Sequence, residues 1–393
     1  MSHRLIDHSP DLKRLRDEGY DIEIRAGHLL VKDIPYVNSS KDVKRGILVS
    51  TLTLACDETA RPDTHVAYFI GDYPCNQDGS EIGQIRNSSA KLKLGEDLEV
   101  DHTFSAKPVP SGHYEDYYAK MTNYVAILTG PAQVHDLGAT AKTFPVIEPG
   151  EEESVFNYID TASSRAGINI VTKKLELEKI AIVGLGGTGS YVLDLVCKTP
   201  VKEIHLFDGD RFLQHNAFRS PGAPSIDELR TKPSKAAFLR ERYSKMHRGI
   251  VAHEVNVDGN NVEQLRGMNF VFLCIDRGGT KKLIVEKLEG FAISFIDVGM
   301  GVYMAEDSLA GILRVTSSTP EKREHVRDRI SFSDGEDHNE YERNIQIADL
   351  NALNAALAVI KWKKLFGFYL DLDHEHHSTY TIDGNALTNE EKP

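Results

Sequence analysis

The sequence predicts an α/β protein: a doubly wound, Rossmann-like mixed sheet preceded by a β-rich α+β domain. Three observations predict it. An unbroken apolar run at residues 179–184 leads directly into a glycine cluster at residues 184–189. Beyond it, short apolar runs alternate with segments of helical spacing, the pattern of a parallel sheet with crossover helices. Before residue 148 the pattern differs, with short alternating runs set between polar turns.

Taken in order, the N-terminal part begins with a short helix over residues 11–19, ended by Gly19. Residues 21–24 and 91–94 alternate and read as strands. The tyrosine-rich residues 116–128 fit either helix or strand. These elements assign residues 1–147 to a β-rich α+β domain of unknown role. Glu148-Pro149-Gly150-Glu151-Glu152-Glu153 is acidic and helix-breaking, and reads as a linker. The second domain spans residues 175–393. Its first strand, residues 179–184, is apolar throughout, as a strand buried on both faces should be. A helix over 190–198, a strand over 203–207 and a helix over 234–243 follow. Then come a strand over 270–275, a helix reaching Leu288, and a strand over 292–298. The polar residues 317–344 read as a mobile crossover loop, and residues 348–366 as a long apolar helix stopped by Gly367. The sequence contains no internal repeat.

Composition narrows the function. With 393 residues, 40% apolar and 27% charged, the chain can build two ordinary cores. No apolar run is long enough to cross a bilayer, and the N-terminus lacks the basic start and apolar core of a secretory signal. Four scattered cysteines argue against a disulfide framework and for a reducing, cytoplasmic setting. A net charge of −13 disfavours nucleic-acid binding, which needs Lys and Arg to displace phosphate counterions.

The strongest motif is Gly184-Leu185-Gly186-Gly187-Thr188-Gly189-Ser190, placed between a strand and a helix. Glycines there permit a tight turn and let backbone N–H groups and a helix N-terminus approach a phosphate. The motif does not choose the nucleotide. Asp208 ends the next strand at the spacing where an NAD-dependent oxidoreductase places an acid on the ribose, so that reading competes, as does a non-catalytic nucleotide-binding scaffold. The residues that discriminate are Asp208 and Asp210, then Asn216 and Arg219, then Lys235, and Asp276 closing a later strand. Strand ends of an open α/β sheet converge on one crevice, so these side chains can face one ligand. Arginine and lysine supply charge to phosphates, and an aspartate supplies an oxygen ligand for magnesium. A dehydrogenase has no need of a metal-binding aspartate at that strand end.

In this order the motifs resemble the ThiF/MoeB/HesA family of ubiquitin-activating-type enzymes, over residues 180–301 and the helix at 348–367. The resemblance implies ATP- and Mg2+-dependent adenylation of the C-terminal glycine of a ubiquitin-like protein, with release of pyrophosphate. It implies a ubiquitin-carrier-like conjugating partner and a homodimer. On matched positions, Gly184, Gly186, Gly187, Gly189, Asp208 and Asp210 belong to the nucleotide site. Asp208 would bind the ribose, Asn216, Arg219 and Lys235 the phosphates, and Asp276 the magnesium. Arg165, just before the first strand, would reach the neighbouring subunit's ATP, which makes residues 148–174 a linker and dimer-contact segment.

The sequence departs from the family in two respects. Paired Cys-x-x-Cys motifs are missing, so no zinc is expected; His374, His376 and His377 read as a solvated polar tail. The region after the last parallel strand, residues 297–344, holds no cysteine to take over the acyl group. Cys197 and Cys274 read as core residues. Three outcomes stay open: release of the adenylate to another protein's thiol, a thioester on Cys56 or Cys75, or an oxyester on a hydroxyl of Thr316-Ser317-Ser318-Thr319 in the crossover loop, Ser317 or Ser318 above all, with His325 as base.

Overall fold

In a computed structural model, residues 2–149, 154–332 and 345–392 are described, residues 2–4 by their backbone alone. The chain divides into two compact units, Met1–Ile147 and Glu148–Pro393.

In the first unit, a helix α1 (Pro10–Asp17) precedes a six-stranded antiparallel sheet. Its strands are β1 (Ile22–Arg25), β2 (His28–Val37), β3 (Val43–Thr51), β4 (Val66–Ile70), β5 (Arg86–Ser88) and β6 (His102–Ser105). They lie in the order β1-β2-β3-β4-β6-β5. The alternating residues at 91–94 do form a strand, Leu92–Gly95, paired with Leu98–Val100. The tyrosine-rich segment is a helix, α2 (Tyr117–His135), started by the Asp116 carboxylate, which accepts from Ala119 N at 2.7 Å. Tyr117, Met121, Tyr124 and Leu128 fall three or four residues apart and pack with Leu29, Leu48, Phe69 and Phe104 of the sheet. Helical spacing settles what composition left open.

The second unit is the predicted doubly wound sheet. Its strands are β7 (Lys179–Val183), β8 (Glu203–Phe207), β9 (Ile250–His253), β10 (Phe270–Leu273), β11 (Ser294–Ala305), β12 (Ser308–Ser318), β13 (His377–Thr381) and β14 (Ala386–Glu390). The order is β9-β8-β7-β10-β11-β12-β13-β14. The first five run parallel and the last three antiparallel. Alternate side chains of β7 enter opposite cores: Ile180 and Ile182 on one face, Ala181 and Val183 on the other. On the first face lie α4 (Gly187–Val196) and α7 (Ala348–Leu365), whose Val192, Leu193, Ala355, Ala358 and Trp362 join Phe270 and Phe272. On the second lies α6 (Gly278–Gly290), through Ile284, Val285 and Leu288. Among the shorter helices of the unit are α3 (Thr161–Arg165) and α5 (Lys235–Tyr243). Residues 154–175 are built into this unit; the Arg248 guanidinium, for example, donates to Asn157 Oδ1 at 3.0 Å and to Ser154 O at 3.3 Å. The remainder of the expected acidic linker, residues 150–153, lies outside the described residues.

The region beyond residue 298 corrects two expectations. Thr316, Ser317 and Ser318 are not on a loop but end β12, wholly buried between β11 and β13. Two of the three histidines are not in a solvated tail: His374 is exposed, but His376 and His377 are buried where β13 joins the sheet. The physical reason is a polar pairing across strands. Thr316 Oγ1 lies 3.0 Å from His377 Nδ1, and Ser317 Oγ lies 3.1 Å from His376 Nδ1. Each segment looks polar alone, but the hydroxyls and imidazoles satisfy one another once the strands meet. Of the predicted crossover loop, residues 319–332 include a short helix, Val326–Arg329, and residues 333–344 lie outside the described residues.

Candidate active site

The strand order reverses between β7 and β10, which leaves a crevice at their C-terminal ends. There the structure has a cavity of about 990 Å³, a size suited to a nucleotide-scale ligand.

The glycine loop forms one wall. Gly184 has φ +89°, and a Cβ there would stand 2.6 Å from the Cys274 carbonyl, so the turn is closed against the end of β10. Gly187 meets a different demand. A Cβ at that position would overlap the Asn351 carboxamide of α7. Gly189 packs on the Gly184 carbonyl, and only Gly186 of these four has open space where its side chain would be. Three of the predicted cofactor glycines therefore serve close packing, and Gly186 leaves the backbone open toward the cavity.

Asp208 ends β8, almost fully buried. Its Oδ2 accepts from Leu185 N at 2.7 Å and its Oδ1 from Asp210 N at 2.9 Å, so this carboxylate ties the glycine loop to the next strand end. Lys235 opens α5 behind its N-cap, Ser234, and its Nζ lies 2.8 Å from Asp210 Oδ2 and 3.6 Å from Asp208 Oδ1. The Lys235 hydrogen bond holds the Asp210 carboxyl below the usual carboxylate range. Arg219 follows a short helix, Gln214–Ala217, with its Nε buried and unpaired. Asp276 is exposed just beyond β10, ahead of α6.

Gly184, Gly186, Gly187, Asp208, Asp210, Arg219, Lys235 and Asp276 all line the cavity. Three predicted residues do not. Gly189 is packed beneath the loop. Asn216 is buried and spends its Oδ1 on the Leu213 N–H at 2.8 Å, which closes its own helix. Arg165 is exposed on α3, away from the cavity lining.

Sequence reasoning missed the opposite wall. Asp297, fully buried in β11, sits between two cations: Lys281 Nζ is 2.8 Å from Oδ1, an ion-pair contact outside hydrogen-bond angles, and Arg314 donates to Oδ2 at 2.7 Å. Arg314 also donates to the Arg329 carbonyl. On α7, Asn351 Oδ1 accepts from the Thr188 hydroxyl at 2.9 Å, and Asn354 Nδ2 donates to Gly299 O at 3.0 Å. The signals were in plain view: a charge inside the apolar run Phe295-Ile296-Asp297-Val298, and two asparagines three apart in an apolar helix.

The cysteines divide sharply. Cys75 and Cys197 are buried, Cys274 is partly so, and Cys56 is exposed. Burial pushes the Cys75 thiol above its ordinary pKa and the Cys197 thiol up to about 12, the reverse of an activated nucleophile. Ser317 and Ser318 have no exposed surface, and His325 Nε2 donates to the Ser317 carbonyl at 2.9 Å rather than facing a hydroxyl. The oxyester site expected on a loop is thus closed to an incoming acyl group.

Among the described residues, no group of three or more His, Cys, Asp or Glu could hold a metal ion. A single carboxylate such as Asp276 nevertheless suits magnesium, which takes one or two carboxylates and completes its shell with water and substrate phosphate oxygens. No helix among the described residues is long and apolar enough to cross a membrane.

Residues 161–328 match the model of the ThiF family, and residues 10–161 match that of a domain of unknown function, DUF6791. No curated protein sequence matches the chain. Among solved structures, the chain is similar to Escherichia coli MccB with ATP, at 18% identity over 59% of this chain and 70% of that one, TM-score 0.47. It is similar to the microcin C7 biosynthetic enzyme MccB in complex with N-formylated MccA, at 18% identity over 59% and 70%, TM-score 0.46. It is also similar to PaaA, at 17% identity over 57% and 75%, TM-score 0.43.

Proposed function

Residues 161–328 form a ThiF-family domain, and from that premise we propose that this chain uses ATP to adenylate the terminal carboxylate of a peptide or protein. One observation carries the reading: the open glycine loop, two cations and an aspartate, drawn from four separate segments of the unit, line a single crevice. A triphosphate needs that combination, whereas a hydride transfer does not.

In the proposed reaction a carboxylate oxygen of the substrate forms a bond to the α-phosphorus of ATP. The bond from that phosphorus to the bridging oxygen of the β-phosphate breaks, and pyrophosphate leaves. Arg219 and Lys235 balance the phosphate charge, Arg219 through planar donors and Lys235 as a point charge. Asp208 holds the loop in place through the Leu185 N–H. Magnesium held by Asp276 would neutralise charge on the phosphate oxygens and the departing pyrophosphate.

Within this reading the substrate is a ubiquitin-like protein ending in glycine, and the acyl-adenylate passes to a thiol on a conjugating partner. Burial of Cys75, Ser317 and Ser318 favours release to another protein over capture at those residues. The chain acts as a homodimer in which Arg165 serves the partner copy's nucleotide.

The test is pyrophosphate exchange with a candidate ubiquitin-like protein. Exchange should require that protein and magnesium. Asp276→Ala should abolish it with the thermal midpoint unchanged, since the side chain is exposed. Undiminished exchange in this variant would remove Asp276 from the metal site.

A further inference from the structure

We propose that Asn351 of α7 is a nucleotide-binding residue that donates its amide N–H to the phosphate chain, so that the C-terminal helix completes the glycine loop. The inference rests on the adenylation reading and adds a contact from outside its motif residues. Asn351 has no exposed surface, yet it lines the cavity beside Gly186, Gly187 and Thr188. The Thr188 hydroxyl occupies Oδ1 at 2.9 Å, which fixes which way the carboxamide points. Its Nδ2 is then buried with no partner. A buried donor left unpaired costs about as much as a lost hydrogen bond, so its persistence at a cavity wall marks a place for an acceptor.

The loop is built around this side chain. The Asn351 carboxamide occupies the volume that any Cβ at Gly187 would need, so the glycine exists there to admit it. The amide is thereby laid against the glycine loop, whose backbone is open toward the cavity at Gly186. Asn354, one turn along, sets the direction. Its Nδ2 is taken by the Gly299 carbonyl, and the atom left buried and unpaired is an acceptor, Oδ1. An anion is favoured at the Asn351 end of this helix face and disfavoured at the Asn354 end. The phosphates therefore lie against Asn351, while Asn354 faces the side from which an amide N–H of the peptide substrate can approach.

The experiment uses the full chain and a fluorescent ATP analogue, displaced either by ATP or by adenosine. Asn351→Ala should weaken ATP about tenfold or more, the effect of losing one hydrogen bond to a charged acceptor, and leave adenosine unchanged. Asn351→Asp keeps the shape and replaces the donor with a negative charge. It should lose more ATP affinity than Asn351→Ala, again with adenosine unchanged, and it provides the answer if the alanine variant fails to fold. Equal losses for ATP and adenosine would mean that Asn351 only supports the fold, and unchanged ATP affinity would mean that no phosphate reaches it; either result overturns the proposal. A wild-type chain that binds no ATP overturns the adenylation reading itself, and this proposal with it.

Discussion

Removing the Asp297 carboxylate should destabilise the second unit far more than removing one of its cations. Asp297 is fully buried, Lys281 and Arg314 hold it at 2.8 and 2.7 Å, and the side chains of these two cations are only 6% and 18% exposed. The trio carries a net charge of +1. Asp297→Asn leaves two cations facing each other with no counterion, and breaking a buried ion pair in this way costs about 3–5 kcal/mol. Lys281→Met leaves one carboxylate with one guanidinium, a balanced pair, and replaces an ammonium with an apolar chain of similar length. Its cost should stay within about 1 kcal/mol. The double variant, with Arg314 alone, should recover part of the Asp297→Asn loss. The assay is equilibrium urea unfolding followed by the fluorescence of Trp362, the chain's single tryptophan, fully buried in this unit. If Lys281→Met costs as much as Asp297→Asn, or Asp297→Asn costs under about 1 kcal/mol, the charge argument fails.

Three further outcomes follow from the same geometry. Gly187→Ala should destabilise by about 1–3 kcal/mol through overpacking and weaken ATP binding in displacement titrations, because its Cβ must push Asn351 aside. His376 should make the unit acid-sensitive: burial, aided by Lys361 and His325, pulls its pKa from 6.5 to about 4. The unfolded chain then binds the extra proton between pH 6.5 and 4, so stability is full above that window and falls as pH drops through it. At pH 5 the loss should be about 2 kcal/mol, and urea unfolding of His376→Gln at pH 7 and pH 5 should show a smaller difference than wild type. Cys56 should react with a thiol reagent in the native protein while Cys75 and Cys197 wait for unfolding, since only the first is exposed; fast labelling of all three would contradict the burial.

Local patterns carried much of this protein in its sequence. The apolar run of β7, the glycine turn and the helix after it are set by steric and solvation rules acting within a few residues, and they appear where expected. Asp208, Lys235 and Asp276 were expected at one crevice because each stands at a strand end or a helix start along one edge of a parallel sheet, and all three line one cavity; Arg219, which follows a short helix, lines it too. What the sequence could not express is the meeting of distant segments. Thr188 and Asn351 are 163 residues apart, and nothing near either says that Gly187 is a glycine for the sake of α7. Likewise Thr316, Ser317, His376 and His377 read as two solvated polar stretches, because a hydroxyl and an imidazole pair only when β12 and β13 lie side by side. Periodicity records what one segment needs from water. Only tertiary structure decides which polar atoms satisfy one another, and which, like Asn351 Nδ2, are left unpaired at the cavity wall.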